Sequence, residues 1–126
     1  MRLMEPNGVI SIVGSHCRPD QEEKYTSWYN EKHVPDVMKF KGLRKATRCE
    51  LLYSDLAYPG YPEVKYPKYI TIFEYDNQQG FDAYQASPEL AEAGKDVRAT
   101  WGDDPFERVW RVQYKVVQTW EQQEEE

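Results

Sequence analysis

The chain has 126 residues, a length that fits one domain, and its 22 acidic and 16 basic residues give it a net charge of −6. Phosphate neutralisation dominates affinity for nucleic acids, so an acidic chain without a basic block is not expected to bind one. The sequence shows no apolar run of membrane length and no recognisable signal peptide. We therefore expect a cytoplasmic protein with no nucleic-acid partner and no membrane association.

Metal and disulfide chemistry are not expected either. The two cysteines, Cys17 and Cys49, are widely separated and lack the CxxC spacing of many metal and redox sites. The only histidines are His16 and His33, and a zinc site needs a cluster of ligands that these residues do not supply. We predict two reduced thiols and no metal site.

Turn residues and β-branched runs divide the chain into strands and helices. The run GVISIVGSHC follows the turn signal Pro6-Asn7-Gly8 and predicts a strand, and Glu22 and Glu23 favour the start of the helix that follows. Three prolines in residues 53–67 predict a long loop, either a lid or an arm that contacts a partner subunit. In chain order we predict a strand at 8–17, a helix from Pro19 to about Phe40, a strand at 43–52, the loop at 53–67, a strand at 68–75, helices within 77–99 broken at Pro88, a turn at 102–105 and a strand at 106–120.

This βαββαβ order predicts an α+β fold of the ferredoxin-like type. In that fold two helices cover one face of a four-stranded antiparallel sheet. We assign residues 1–120 to a single domain and interpret residues 121–126, which are mostly glutamate, as a disordered acidic tail.

The second face of the predicted sheet is more apolar than a solvent-exposed face should be. Trp110, Val112 and Tyr114 point to one side of the last strand, and the first strand is apolar on both sides. Antiparallel sheets with one exposed face normally alternate between apolar and polar residues. Burying each such side chain contributes about 1.5–3 kcal/mol, which favours a homodimer packed sheet to sheet over a monomer with an exposed apolar sheet.

A histidine in the first helix has an unusual setting. Tyr25, Tyr29 and His33 follow each other at intervals of four, so they form a row along one helix face. Pro35 removes a backbone N–H and is expected to loosen the helix beside the ring. Trp28 lies on the same face, and Lys32 and Asp36 fall within it if the helix stays regular. Since histidine is the side chain best suited to proton transfer near neutrality, His33 is either a general acid and base or a structural residue.

The stretch WYNEKHVPDVMKFKGLRKATRCEL resembles the first helix and second strand of the dimeric α/β-barrel superfamily, and it is most similar to the EthD-like branch. The shared pattern is an aromatic-rich helix, His-x-Pro, a short apolar turn, a glycine and a basic strand. The matching positions are Trp28, Tyr29, His33, Pro35, Asp36, Val37, Gly42 and Arg48.

This resemblance implies a small organic ligand in a pocket between the sheet and the helices. The superfamily includes polyketide cyclases, hydroxynitrile lyases, muconolactone-type isomerases, cofactor-free monooxygenases and haem-binding proteins. Its cyclases and lyases use a histidine and a tyrosine as acid and base, and some cyclases carry the histidine on the second helical segment. This chain has Tyr84, Glu89, Glu92 and Asp96 in that segment and no histidine.

From these considerations we select candidate site residues. His33 and Tyr29 are the predicted catalytic pair. The predicted substrate-binding residues are Tyr25, Trp28, Asp36, His16, Phe73, Tyr84 and Trp101.

Three functions fit the sequence. The first is a cofactor-independent lyase, cyclase or isomerase acting on a small aromatic or polyketide-like carbonyl compound, in which His33 moves a proton and Tyr29 hydrogen-bonds the developing oxyanion. The second is a cofactor-free monooxygenase or a haem-binding protein with His33 as the axial ligand. The third is a small-molecule binding protein without catalysis.

Overall fold

The computed structural model describes residues 7–52, 66–102 and 106–122. Most of the predicted loop, residues 53–65, lies outside the described residues, as do residues 103–105 of the predicted turn and 123–126 of the predicted tail. The elements are β1 (Val9–His16), a 3₁₀ turn (Pro19–Gln21), α1 (Glu22–Trp28), a π-helical segment (Tyr29–His33), α2 (Val34–Val37), β2 (Leu43–Glu50), β3 (Tyr69–Tyr75), α3 (Gln78–Gln85), α4 (Pro88–Trp101) and β4 (Glu107–Lys115).

The first helical region is continuous from α1 to α2 but widens in the middle. The N–H of Val34 donates to the carbonyl of Tyr29, five residues back, which defines the π-helical segment. Pro35 follows directly and has no N–H to continue the α-helical pattern. The loosening expected at the proline therefore takes the form of one wide turn, and it lies immediately before the proline.

The second helical region is divided as predicted at Pro88. Asn77 caps α3 by accepting a hydrogen bond from the Gly80 N–H at 2.7 Å. Ser87 caps α4 by accepting one from the Leu90 N–H at 3.2 Å, and Pro88 occupies the first turn, where a missing N–H does no harm. Two helices rather than one therefore follow β3.

The four strands form one antiparallel sheet in the order β2-β3-β1-β4. β1 pairs with both β3 and β4, and β2 pairs with β3. The ferredoxin-like arrangement predicted from the sequence is confirmed. β4 is shorter than the predicted strand 106–120, because its pairing with β1 ends at Lys115 opposite Val9.

Strand pairing separates the two faces of the sheet. Val9, Ser11 and Ser15 of β1 are buried on the helix side, together with their β3 neighbours Thr71, Phe73 and Tyr75. The outer face carries apolar side chains that are only partly buried or exposed: Ile10, Ile12, Ile70, Ile72, Trp110, Val112 and Tyr114. Tyr114 remains 60% exposed. The apolar outer face predicted from the sequence is therefore present.

The helix side contains two groups of packed side chains. One includes Val37, Leu43, Phe73 and Tyr84 and joins α2, α3 and α4 to the centre of the sheet. The other is almost entirely aromatic and is called here the aromatic cluster; its members are Tyr25, Trp28, Tyr29, Trp101 and Phe106.

Gly14 of β1 lies where Pro67 packs closely against the outer face of the sheet and leaves no room for a side chain. A Cβ at this position would lie 2.5 Å from Cγ of Pro67, so the proline ring would have to move. We expect Gly14→Ala to lower the free energy of unfolding by about 1–3 kcal/mol, the usual cost of overpacking, as measured by urea denaturation at fixed protein concentration.

A matched control is available in α3. A Cβ at Gly80 would meet its nearest atom at 3.5 Å, an ordinary contact. Because alanine also favours helix, Gly80→Ala should leave stability unchanged or raise it by about 0.5–1 kcal/mol. Equal stability of Gly14→Ala and the wild type would contradict the steric argument.

Candidate functional site

A cavity of about 350 Å³ lies between the sheet and the helices. Four predicted residues line it: His33, Tyr29, Phe73 and Tyr84. Further walls come from β1, β3, α4 and β4, among them Ser11, Val13, Tyr75, Gly94, Val97, Phe106, Arg108 and Arg111. The volume is at the small end of the range for pockets that bind organic ligands.

His33 is held by ring packing. Its imidazole stacks on Trp28 at 4.5 Å between ring centroids and 21° between planes, and Tyr29 meets it edge-on at 5.1 Å. Its Nδ1 atom is buried and has no hydrogen-bond partner among the described residues. Burial lowers the pKa of His33 to about 4, with Asp96 opposing and Arg108 adding to that effect. The ring is therefore uncharged at neutral pH.

Trp28 is fixed in turn by α4. Its Nε1 donates to Oδ2 of Asp96 at 2.8 Å, while the Thr100 hydroxyl donates to the other carboxylate oxygen at 3.2 Å. Asp96 thus holds the indole on which His33 rests.

Tyr29 is 4% exposed, and burial is the main reason why its pKa lies above the ordinary value of a tyrosine. The nearby Tyr25 also raises this pKa, whereas Arg48 and Arg108 lower it. The phenol consequently stays protonated and is suited to donating a hydrogen bond. Burial likewise raises the pKa of Tyr84 to about 12.

The guanidinium group of Arg48 in β2 packs against the ring of Tyr29. Its guanidinium carbon lies 4.7 Å from the ring centroid of Tyr29 and 5.4 Å from that of Tyr25. Its Nη1 donates to Oδ1 of Asn30 at 2.7 Å, which ties β2 to the π-helical segment. This arginine is one of the positions that carry the resemblance described above.

Three predicted substrate-binding residues of the first helical region do not line this cavity. Tyr25 is 0% exposed, and its hydroxyl is hydrogen-bonded to Ser15 within the aromatic cluster. Trp28 stacks against the His33 ring and does not itself line the cavity. Asp36 points outwards and forms ion pairs with Lys32 at 2.7 Å and Lys39 at 3.4 Å. The wide π-helical turn changes the helical register, so a projection at 100° per residue places Asp36 on the wrong side.

His16 and Trp101 belong to a separate cavity of about 300 Å³ at the end of β1. Nδ1 of His16 accepts a hydrogen bond from the Lys68 N–H at 3.1 Å. Phe106 contributes to the walls of both cavities. The predicted site is thus divided, and His16 does not reach the cavity that contains His33.

The cavity also contains residues that were not selected from the sequence. Tyr75 lies two residues after Phe73 in β3, and the two-residue period of a strand was a sufficient signal for it. Arg111 faces the same side as its partner Val13. Arg108 shares that side only because of an irregularity in the sheet, for which the sequence has no visible signal. Among the described residues, no group of three or more His, Cys, Asp or Glu is placed to hold a metal ion.

The model of one protein family matches residues 9–109 of the chain, which is most of its length. The chain belongs to the DUF4286 family, a domain of unknown function. No curated protein matches this DUF4286 chain significantly. None of the helices in the described ranges is long and apolar enough to cross a membrane.

Solved structures similar to this DUF4286 chain share its fold at low sequence identity. An EthD family protein from Bacillus halodurans has a TM-score of 0.61 and 14% identity, over 87% of this chain and 98% of the other. A dimeric protein of unknown function with a ferredoxin-like fold, from Bacteroides fragilis, has a TM-score of 0.55 and 23% identity, over 87% and 97%. SnoaB from Streptomyces nogalater, a cofactor-independent oxygenase, has a TM-score of 0.52 and 13% identity, over 89% and 93%. The ferredoxin-like fold expected from the sequence resemblance is confirmed, and an EthD family protein is among the structures that share it.

The low pKa of His33 predicts acid lability of the folded DUF4286 domain. Its pKa falls from 6.5 to about 4 on burial, so the unfolded chain binds the proton first as the pH decreases. This contribution to stability is complete above pH 6.5 and is lost as the pH falls towards 4. Between pH 7 and pH 4 we expect the wild type to lose about 2–3 kcal/mol relative to His33→Gln in urea denaturation.

The control for this experiment is His16→Gln, which removes the only other histidine and leaves His33 in place. It should retain the loss of stability that burial of His33 causes between pH 7 and pH 4. Parallel pH profiles for the wild type and His33→Gln would show that burial does not depress the pKa of His33.

Proposed function

We propose that this protein is a cofactor-independent acid–base enzyme that acts on a small aromatic or polyketide-like carbonyl compound by elimination, cyclisation or isomerisation. The observation that carries the proposal is the pairing of His33 and Tyr29 in one wall of a cavity whose other walls include the aromatic side chains of Phe73, Tyr75, Tyr84 and Phe106. Such walls suit a planar ligand. His33 and Tyr29 then provide a proton acceptor and a hydrogen-bond donor beside that ligand, and proton transfer needs both.

In this proposal His33 is the base. An imidazole with a pKa of about 4 is uncharged at neutral pH and free to accept a proton, but it is a weak base. It therefore suits a substrate whose C–H or O–H is already acidic, such as a carbon between a carbonyl group and an aromatic ring. The resulting imidazolium ion returns the proton to another atom of the same substrate.

Tyr29 is the proposed hydrogen-bond donor to the developing oxyanion. Burial keeps its phenol protonated, and the Arg48 guanidinium beneath the ring strengthens the phenol as a donor. A donor in a water-poor site stabilises a developing charge more than it does in water.

We further propose that two copies of the chain pack through the outer faces of their sheets. The partly buried isoleucines of β1 and β3, together with Trp110 and Val112, form one continuous apolar surface there. The similar protein from Bacteroides fragilis is described as dimeric. In such a dimer the cavities remain on the far, helix-covered side of each sheet.

Cofactor-free oxygenation is the second candidate function, because SnoaB is a cofactor-independent oxygenase with the same fold. A neutral base that removes the proton of a phenol is also the first requirement of such a reaction. Haem binding is less well supported, because His33 is packed between two rings in a cavity of about 350 Å³. Oxygen uptake with 1-naphthol, measured with an oxygen electrode, separates oxygenation from the acid–base reactions.

The acid–base proposal is testable without the natural substrate. 2-Tetralone is a bicyclic aromatic ketone with an acidic C–H, and proton NMR in D₂O follows exchange of that hydrogen. We expect the wild type to accelerate exchange and His33→Gln to lose at least about 100-fold in rate, the usual contribution of a positioned base. Tyr29→Phe should lose about 100-fold because the oxyanion donor is absent. In the wild type, kcat/KM should decrease as the pH falls through about 4.

His16→Gln is the matched control, because His16 lines the other cavity. It should exchange 2-tetralone at the wild-type rate. The proposal fails if the wild type does not exceed buffer, or if His33→Gln is as fast as the wild type.

The dimer proposal predicts that a charge on the outer face separates the subunits. Ile12 lies on that face in the central strand β1. Sedimentation velocity at micromolar concentration should show a dimer for the wild type and a monomer for Ile12→Lys. Ala83→Lys, which adds the same charge to an exposed position of α3, should remain dimeric. A monomeric wild type would refute the proposal directly, whatever the variants show.

A further inference from the structure

Two arginines of β4 share the cavity because of a β-bulge. Arg108 and Arg111 are three residues apart, so a regular strand would point them to opposite faces. The register between β1 and β4 shifts at Gly14/Ser15: Gly14 pairs with Trp110, and Ser15 pairs with Arg108. Val109 is therefore passed over, and both arginines lie opposite helix-side residues, Ser15 and Val13. Bulges often turn a side chain towards an active site in this way.

Both guanidinium groups are close to the polar groups of the cavity. Arg108 lowers the pKa of both His33 and Tyr29, and Arg111 lowers the pKa of Tyr84. The Arg108 guanidinium also lies 5.8 Å from the ring centroid of Phe106, and that of Arg111 lies 5.7 Å from the ring centroid of Phe81. The two arginines therefore approach the cavity from β4 and form one positively charged side.

The described part of the cavity wall contains no carboxylate that would balance their charge. Among the described residues that line the cavity, none is an aspartate or a glutamate, and none of the described carboxylates forms an ion pair with Arg108 or Arg111. The chain as a whole has a net charge of −6. A cavity of the opposite sign in an acidic protein concentrates anions at its mouth.

We propose that the ligand of this cavity is an anion: an aromatic compound that carries a carboxylate or an acidic enol, bound with its negative group between Arg108 and Arg111 and its ring against the aromatic walls. Guanidinium groups suit this role because their planar N–H pairs match a carboxylate. This inference rests on the proposed function for the identity of the cavity, and it adds the charge class of the substrate.

The test uses three probes with the same ring system: 2-naphthoate, neutral 2-naphthamide and 2-naphthylmethylammonium. Isothermal titration calorimetry measures their binding to the wild type. We expect 2-naphthoate to bind at least about tenfold more tightly than 2-naphthamide, which corresponds to about 1.4 kcal/mol, and the cation to bind most weakly. Raising the salt concentration should weaken the binding of 2-naphthoate and leave that of 2-naphthamide unchanged.

Variants of the two arginines test whether Arg108 and Arg111 cause the preference for the anionic compound. In the double variant Arg108→Gln/Arg111→Gln the preference for 2-naphthoate over 2-naphthamide should fall to about one, while 2-naphthamide still binds. Lys115→Gln is the matched control: Lys115 is exposed on the same strand, carries the same charge and does not line the cavity. It should keep the wild-type preference.

The outcomes separate this inference from the proposed function. If 2-naphthamide binds the wild type as tightly as 2-naphthoate, or if the double variant keeps the preference, anion selection by the arginines is refuted while an aromatic-binding cavity remains. If the wild type binds neither compound, both the charge assignment and the proposed aromatic ligand are refuted. If 2-naphthoate is preferred but 2-tetralone exchange is absent, the anion site stands and the acid–base function does not.

Discussion

The stack of His33 on Trp28 is the contact on which the candidate site depends. It covers one face of the imidazole, and Tyr29 covers an edge, so the ring is removed from water without a hydrogen bond at Nδ1 among the described residues. Because a charged ring is disfavoured there, the pKa decreases to about 4. The stack in turn depends on Asp96, which fixes the indole from α4. A proton-accepting side chain is thus produced by packing between two helical regions.

The π-helical segment explains why a proline follows this histidine. In a regular helix the residue at position 35 would donate its N–H to the carbonyl of Glu31, and proline has none. The chain adopts one wider turn, in which Val34 bonds to Tyr29 across five residues. Tyr29 and His33 thereby flank the widened turn, a type of distortion that is frequent at functional sites. A leucine at position 33 would fill the same space but could not accept a proton.

Sequence reasoning succeeded for most features that are determined locally, and it failed where structure depends on distant pairing or on a distortion within a helix. The order of elements followed from turn residues, capping residues and periodicity, all of which act over a few positions. The adjacency of Tyr29 and His33 followed from their spacing along one helix. Asp36 was misplaced because the π-helical turn changes the phase of the helix.

The division of the predicted site and the role of Arg108 have a non-local cause. His16 was assigned to the same predicted site as His33 because it is the other histidine and ends the first strand, but Phe106 stands between the two cavities. Arg108 reaches the cavity through a bulge, which exists only in the pairing of β4 with β1, about 95 residues apart in the chain. Alternation within β4 alone places Arg108 on the outer face.

The charges around His33 determine how its pKa responds to a bound anion. Burial lowers the pKa of the His33 ring, Asp96 opposes this effect, and Arg108 adds to it. An anion bound beside Arg108 neutralises that contribution and places a negative charge near the imidazole, so both changes raise its pKa towards neutrality. A base is most effective when its pKa is near the working pH. In the proposed function, the same arginine that adds to the lowering of the His33 pKa before binding therefore allows an anionic substrate to make the imidazole a stronger base.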